Sequence, residues 1–242
     1  MSSLANKKGL YLDWATKDAA EFACKRWHYS GCLPIGKLIK VGVWEDGKFK
    51  GVVIFSRGTS PNLGTRFGLG QTECVELTRV ALAPHKAFVS KVIAIALKML
   101  KKSNPGLLLV VSFASQTQGH HGGIYQAGNW IYCGQTIPQT EYYFRGKRVT
   151  DRAIKGYCVK HRTNREALVE KGLAVPLLTK QKHRYIYPLE KRIRKKVEKL
   201  SLPYPSKCGE SIASDALDVQ SREEGAVPIS SLTPNSMQGA SV

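Results

Sequence analysis

The sequence predicts a mixed α/β (α+β) domain, and the first observation behind this prediction is a β-hairpin. Two runs rich in β-forming residues, KLIKVGVW and KFKGVVIFS, meet at Glu45-Asp46-Gly47. The Asp-Gly pair supplies the positive φ angles that a tight hairpin turn requires. A chain of 242 residues can bury one substantial core, so we expect one domain.

The second observation is the order strand, helix, strand later in the chain. CVELTRVAL is typical of a strand, and its alternating side chains send polar groups to both faces. Residues 86–102 are apolar on more than one side, as in a helix packed on a sheet, and LLLVVSF is a continuous apolar run of strand length. This order favours a crossover that leaves the two strands parallel.

The segments before and after the hairpin are also informative. Thr16 can cap a helix whose apolar residues Ala20, Ala23 and Trp27 follow the 3.6-residue period, and this helix should end near His28. After the hairpin, residues 57–71 contain too much glycine and too few periodic apolar residues for a helix or strand. We expect a long basic loop there, and long loops in compact domains tend to be functional.

In the last third of the chain, EYYFRGKRV is predicted to be a strand, NREALVEKG a short helix that ends at Gly172, and HRYIYP another strand. The following helix places an apolar stripe opposite a dense set of Lys and Arg.

We therefore divide the chain into three parts. These are a domain over residues 1–187, a basic amphipathic helix over 188–200, and an acidic tail over 201–242 whose Ser, Gly and Pro content predicts disorder.

The charge of the chain is unevenly distributed. The formal net charge is +19, but residues 201–242 contain two basic and five acidic side chains, so the first 200 residues carry +22. Such an excess indicates a polyanionic partner, DNA or RNA, with a membrane surface as the weaker alternative. No apolar run approaches the roughly 20 residues of a membrane-spanning helix and no signal peptide is evident, so we expect a cytosolic protein. The six cysteines form no C-x-x-C pair and are interpreted as reduced thiols.

Candidate functional residues occur at the ends of predicted elements. His28 and Tyr29 end the first helix, and Ser115 follows the buried strand LLLVVSF. Ligands in open α/β sheets bind beyond the carboxyl ends of parallel strands, which is where Ser115 should lie. Glu76 and Arg79 are charged residues on a strand whose neighbours should be buried, and a satisfied salt bridge is the alternative interpretation.

The stretch GHHGGIYQAGNW, residues 119–130, is the most unusual in the chain. Its glycines allow the backbone to approach a ligand closely, and Tyr125 offers a hydroxyl suited to a general acid. His28 and His120 are candidates for acid–base roles or for metal ligands, together with Glu76 or Tyr29. The alternative interpretation is a glycine-rich turn that caps a helix and places Trp130 in the core.

The combination of RWHYSG, ELTRVAL before a long helix, and GHHGGIYQAGNW resembles the Mom DNA-modification proteins over residues 1–200. Mom proteins are regarded as relatives of the Gcn5-type N-acyltransferases. The resemblance therefore implies a Gcn5-type N-acyltransferase-like mixed central sheet flanked by helices, with a helix after the fourth strand.

The resemblance also implies acetyl-CoA or a related acyl donor. Its pyrophosphate would meet free N–H groups at the start of that helix, although the usual glycine-rich motif is absent there. The matching residues are Lys86, Ala87, Phe88 and Ser90. Tyr125 matches the tyrosine that protonates the departing thiolate, and Ser115 stands where Mom-like sequences often carry an acid.

The activity implied by the resemblance is conversion of adenine in double-stranded DNA to N6-carbamoylmethyladenine, which protects phage DNA from restriction endonucleases in the host cytoplasm. The target amine lies inside the duplex, so the adenine should flip out and stack on Tyr29, Tyr125 or Trp130. The product carries a CH2 on N6, which ordinary acetyl transfer would not give. Iron has been associated with the family, which makes His28 and His120 candidate ligands.

In this interpretation Glu76 or His28 accepts the N6 proton, Arg79 orients Glu76 or binds the donor carbonyl, and Tyr125 is the acid. Two other classes stay open: a non-catalytic basic DNA-binding protein, and an ordinary acetyl-CoA-dependent N-acetyltransferase acting on a non-DNA amine.

The predicted phosphate contacts lie in the basic loop and on the basic helix, for which a merely solvated face is the alternative. They are Arg57, Arg66, Lys191, Arg192, Arg194, Lys195 and Lys196. The oligomeric state is left open, a homodimer included.

Overall fold

A mixed sheet of seven strands forms the centre of the fold in the computed structural model, which describes residues 8–58, 60 and 62–206. Its strands are β1 (Leu10–Trp14), β2 (Leu38–Glu45), β3 (Lys48–Ser56), β4 (Cys74–Leu82), β5 (Leu109–Ser115), β6 (Ile131–Gln135) and β10 (Lys182–Pro188). Their spatial order is β1-β2-β3-β4-β5-β10-β6. The β4–β5 pair is parallel and the other neighbours are antiparallel.

Helices cover both faces of this sheet. They are α1 (Lys17–Trp27), α2 (Val89–Ser103), α3 (Gly123–Gln126) and α6 (Lys191–Val197). Val53, Phe55 and Val110 pack with α2, and this side is called the α2 face. Val52 and Ile54 pack with α1, while Val111 packs with α6.

Helices α1 and α6 lie on the same side of the sheet. Ser56 is two residues from Ile54 and is paired with Glu76, which is in turn paired with Val111. Residues two apart on a strand, and residues directly paired between strands, share a face. This side is called the α1 face.

A small second sheet is formed between β6 and β10 in the chain. It contains β7 (Thr140–Phe144), β8 (Lys147–Thr150) and β9 (Ala174–Leu178), in the order β8-β7-β9, with helices α4 (Asp151–Lys160) and α5 (Arg165–Glu170). The prediction of one strand over EYYFRGKRV was wrong, because Arg145 at φ 51° and Gly146 at φ 73° turn the chain into a hairpin. Asn164 caps α5 through its side chain, as the predicted helix there requires.

The mixed α/β architecture with flanking helices is confirmed, and so are its two main predictors. Asp46 and Gly47 have φ angles of 50° and 74° and join β2 to β3. The crossover through α2 joins β4 to the parallel β5, and α2 follows the fourth strand as expected. Helix α2 begins at Val89, later than predicted, because residues 83–88 form a loop.

The predicted basic helix is shorter than expected. Pro188 belongs to β10, α6 covers Lys191–Val197, and a 3₁₀ turn over Glu198–Leu200 continues it. Ile193 and Val197 are buried against the sheet, as the apolar stripe predicted. Of the predicted tail, residues 201–206 pack beside β6, where the Leu202 N–H donates to the Tyr132 carbonyl at 2.9 Å. Residues 207–242, on which most of the disorder prediction falls, lie outside the described residues.

Candidate active site

A cleft opens where strands β4 and β5 separate. Their parallel pairing ends at Leu77 and Ser112, although β4 continues to Leu82 and β5 to Ser115. The cleft has a volume of about 690 Å³. Residues 27–29 from the end of α1, 78–80 from β4, 113–114 from β5 and the 119–125 loop line it.

Two buried hydroxyl groups lie at the base of this opening. The Ser112 Oγ is 2.8 Å from the Leu77 carbonyl oxygen and 2.8 Å from the Tyr125 hydroxyl. Ser112 has one hydroxyl hydrogen and a carbonyl can only accept, so Ser112 donates to Leu77 and Tyr125 donates to Ser112. Burial raises the pKa of Tyr125 to about 12, with smaller contributions from Tyr29 and Glu76, so the phenol is protonated at neutral pH.

An aromatic cluster of His28, Tyr29 and His120 lines the cleft. The Tyr29 ring centroid lies 4.2 Å from that of His28 and 5.8 Å from that of His120. Tyr29 is 58% exposed, whereas Trp130 is 1% exposed and packs in the core. The structure therefore brings His28, Tyr29 and His120 together as predicted, and it gives Trp130 the structural role that was its alternative.

The protonation of His28 follows from its surroundings. The Ser30 backbone N–H donates to His28 Nδ1 at 3.1 Å, so the neutral ring carries its hydrogen on Nε2. Burial, with smaller contributions from the nearby Arg79 and His120, lowers the pKa of His28 to about 4. His28 is therefore a neutral hydrogen-bond donor at physiological pH, which argues against the predicted role of a base.

A β-bulge turns Arg79 toward α1. Leu77 is paired with Phe55 and Arg79 with Ile54, so Thr78 is an extra residue on β4. The predicted alternation along this strand is thereby interrupted: Leu77 keeps its place on the α2 face while Arg79 lies on the α1 face. Arg79 donates to the Thr78 carbonyl at 2.9 Å, and its Nε is buried without a hydrogen-bond partner among the described residues.

Glu76 and Ser115 lie beside the cleft rather than among its described lining residues. Glu76 is partly buried, and its charge contributes to the raised pKa of Tyr125. The Ser115 carbonyl accepts the His120 N–H at 3.1 Å, which fixes the start of the glycine-rich loop. Strand alternation directs the Ser115 side chain to the face opposite Ser112, so Ser112 is the β5 hydroxyl that meets Tyr125.

Tyr185 of β10 anchors the glycine-rich loop. The Tyr185 hydroxyl donates to the His121 carbonyl at 2.6 Å. Gly122 has φ 91°, and a Cβ added to it would lie 2.2 Å from the Tyr185 ring. Only glycine fits at this position, because both the backbone conformation and the close approach exclude a side chain.

The loop before α2 does not fit the pyrophosphate of coenzyme A. The Lys86 and Ala87 N–H groups, predicted to receive phosphate, each donate at 2.9 Å to the Glu45 carboxylate. Glu45 is 7% exposed, and the Lys86 N–H hydrogen bond is the main cause that lowers its pKa. A fixed carboxylate in this position would repel a pyrophosphate. Phe88, 81% exposed, and Ser90 lie at the start of α2.

The predicted iron site does not fit either. Within residues 8–58, 60 and 62–206, no group of three or more His, Cys, Asp or Glu side chains could hold a metal ion. His28 directs Nδ1 to Ser30 and carries its hydrogen on Nε2, so neither nitrogen offers a free lone pair in this arrangement.

The predicted DNA contacts are mostly exposed. Arg57 and Arg66 lie in the loop between β3 and β4, and Arg66 is part of a 3₁₀ helix at Thr65–Phe67. On α6, Lys191, Arg192, Lys195 and Lys196 are exposed and Arg194 is partly buried. Arg192 is paired with Glu190 at 2.6 Å, which reduces its availability for phosphate. The part of the chain that the structure describes contains no helix long and apolar enough to cross a membrane.

The site and the sheet define a mixed α/β domain with its cleft between the separated fourth and fifth strands. The Mom protein family model matches residues 9–206, and the chain belongs to that family. It is 31% identical over 193 residues to the methylcarbamoylase Mom of Escherichia phage Mu, covering 74% of this chain and 76% of that protein.

Among solved structures, the chain is similar to yncA, a putative acetyltransferase from Salmonella typhimurium with its cofactor acetyl-CoA. The TM-score is 0.44 at 13% identity, covering 76% of this chain and 96% of that one.

Proposed function

We propose that this protein is a phage DNA-modification transferase that converts adenine in double-stranded DNA to N6-carbamoylmethyladenine and so protects viral DNA from restriction endonucleases. The proposal rests on membership in a family whose Mu member is named a methylcarbamoylase. One structural observation carries the proposal. A single cleft contains both the exposed Tyr29 ring and Tyr125, whose buried hydroxyl is paired with that of Ser112.

The exposed ring of Tyr29 is suited to hold a flipped base. Enzymes that modify a base inside a duplex extrude it and hold it against aromatic or apolar side chains. Tyr29 is exposed and lines the cleft, and its ring contacts those of His28 and His120. The cleft volume of about 690 Å³ lies within the range of small-molecule sites, about 300–1,000 Å³.

The remaining side chains supply polar contacts in the proposed reaction. Tyr125 holds a proton at neutral pH and is proposed to donate it to the group that leaves the donor as the bond to N6 forms. The unpartnered Nε–H of Arg79 is available to a carbonyl or carboxamide oxygen of the donor. Glu76 is the proposed acceptor of the N6 proton, and His28 is reassigned from base to hydrogen-bond donor.

Nucleoside mass spectrometry tests this function. DNA from cells that express the protein should contain an adenosine species with the mass of a carbamoylmethyl adduct. Tyr29→Ala should lose most of this species. Tyr143→Ala removes an exposed tyrosine from the small sheet and should retain it. Unmodified DNA in all three samples would favour a non-catalytic DNA-binding protein or an acetyltransferase acting on a non-DNA amine.

A further inference from the structure

We propose that Arg184, Arg66 and Lys196 form a phosphate-binding site on the α1 face, where they hold the DNA backbone beside the extruded adenine. The inference rests on the proposed function. It adds Arg184 to the predicted contacts of the basic loop and the basic helix and places all three residues in one site. Its ligand is a phosphodiester group of the duplex.

Arg184 is the centre of the proposed site. It lies on β10 directly opposite Phe113 of β5, with its guanidinium carbon 5.9 Å from the Phe113 ring centroid. Its Nη1 is buried and has no hydrogen-bond partner within the described residues. A buried N–H without an acceptor is costly, and a phosphate oxygen would supply the missing acceptor when the guanidinium group turns toward the surface.

Arg66 adds a second positive charge to the same place. Burial lowers the pKa of Arg184, the Arg66 cation lowers it further, and the Cys133 thiol raises it. No carboxylate of the described residues contributes to the pKa of Arg184. An anion that binds to both guanidinium groups would therefore relieve their mutual repulsion. Arg66 itself is exposed and free to turn toward a ligand.

Lys196 brings the basic helix to this loop. Its Nζ lies 2.9 Å from the position that a Cβ on Gly68 would occupy, two residues beyond Arg66. The burial of Ile193 and Val197 fixes α6 on the α1 face, which also holds Val111 and Cys133. The basic loop and basic helix, predicted as separate DNA contacts, are therefore neighbours on one surface.

The position of Phe113 connects this surface to the cleft. Phe113 lines the cleft and lies against Arg184. A nucleotide whose base enters the cleft must keep its phosphates within a few ångströms of the entrance. Arg184 and Arg66 are therefore placed to contact the phosphates next to an extruded base, where such contacts would fix the register of the protein on the duplex.

The salt dependence of duplex binding tests the site. Each phosphate that a protein neutralises on duplex DNA contributes about 0.9 to the slope of log Kobs against log salt. We expect Arg184→Gln and Arg66→Gln each to reduce the slope of the full chain by about 1 and to weaken binding several-fold. Lys98→Gln removes an exposed charge from α2 on the other face and should leave the slope unchanged.

The outcomes separate this proposal from the alternatives. An unchanged slope in a folded Arg66→Gln variant overturns it, and this exposed position stays informative if Arg184→Gln does not fold. If inorganic pyrophosphate raises the Tm of the wild-type chain but not of Arg66→Gln, while duplex binding is unaffected, the site holds a small phosphorylated ligand and the DNA assignment is wrong. If the slopes fall as expected but no modified nucleoside is found, the site stands and the proposed function fails.

Discussion

The hydroxyl oxygens of Ser112 and Tyr125 lie 2.8 Å apart at the point where β4 and β5 stop pairing. Ser112 is held by the Leu77 carbonyl, which belongs to the last parallel pair of residues. The residue pair at which the sheet opens therefore also positions the hydroxyl group that contacts the proposed acid.

Tyr125→Phe should abolish most of the modification while leaving the fold intact. The change removes the proposed acid, and general acid catalysis contributes about 10²- to 10⁴-fold in rate. Ser112 keeps its bond to Leu77, so the loss in free energy of unfolding should be about 1 kcal/mol. Quantitative nucleoside mass spectrometry and urea unfolding measure the two effects.

The matched control is Tyr132→Phe, which removes another buried hydroxyl, bonded to His183 at 3.0 Å. It should cost similar stability and retain modification. Equal activity in Tyr125→Phe and the wild type would exclude Tyr125 as the acid.

His28 should make the stability of the protein sensitive to mild acid. The pKa of its ring is lowered to about 4, whereas the unfolded chain takes up the proton near pH 6.5. Stability is therefore full above pH 6.5 and is lost as the pH falls toward 4. The loss should be of the order of 1–3 kcal/mol after allowance for partial exposure.

Urea unfolding at pH 7 and pH 4.5 measures this dependence. His28→Gln should flatten it, whereas His161→Gln, at an exposed position, should not. Parallel pH profiles for the wild type and His28→Gln would show that the ring titrates normally.

Glu45 should stabilise the loop before α2 and exclude coenzyme A from it. Glu45→Gln weakens the acceptor for the Lys86 and Ala87 N–H groups and should lower the Tm by about 2–6 °C. Wild-type protein should show no saturable binding of coenzyme A by calorimetry. Glu21→Gln, which breaks an exposed i,i+4 pair with Lys25, should leave the Tm nearly unchanged. Micromolar binding of coenzyme A to the wild type, with shifts of the Lys86 and Ala87 amide resonances, would contradict this account.

Two glycines of the 119–130 stretch should differ in their tolerance of alanine. Gly119 and Gly122 both have positive φ, but a Cβ at Gly119 meets nothing within 4 Å, whereas one at Gly122 collides with Tyr185. Gly119→Ala should cost about 1 kcal/mol for the backbone conformation alone. Gly122→Ala should cost about 3 kcal/mol or more, because the ring that anchors the loop must move. Chemical denaturation of both variants gives the comparison, and similar losses would mean that the contact with Tyr185 is not rigid.

The hairpin at Asp46-Gly47 and the crossover through α2 were predictable because their signals are local in the sequence. The hairpin at Arg145-Gly146 was missed because arginine rarely adopts the left-handed conformation that it has there. Strands β1, β6 and β9 and helix α4 were also missed, since each is short or lacks a strong periodic pattern.

Several of the positions that line the cleft could be predicted from the sequence, whereas the roles of their side chains stay predictions. The helix end, the strand ends and the glycine-rich loop identified His28, Tyr29, Arg79, His120 and Tyr125, which all line the cleft. Ser112 was missed because it lies inside an apolar run, where only the packing shows that its hydroxyl meets Tyr125. The bulge at Thr78 and the contact of Glu45 with a loop 41 residues away depend on tertiary structure and have no local signal.

Strand β10 is inserted between β5 and β6, although it is the last strand of the sheet along the chain. During synthesis, β5 and β6 therefore cannot be bridged until the small second sheet has been made and β10, which carries Tyr185, has emerged. Such non-local pairing slows folding and leaves strand edges exposed in the meantime. Until that moment the glycine-rich loop lacks its hydrogen bond from Tyr185, so the cleft cannot be complete before β10 is in place.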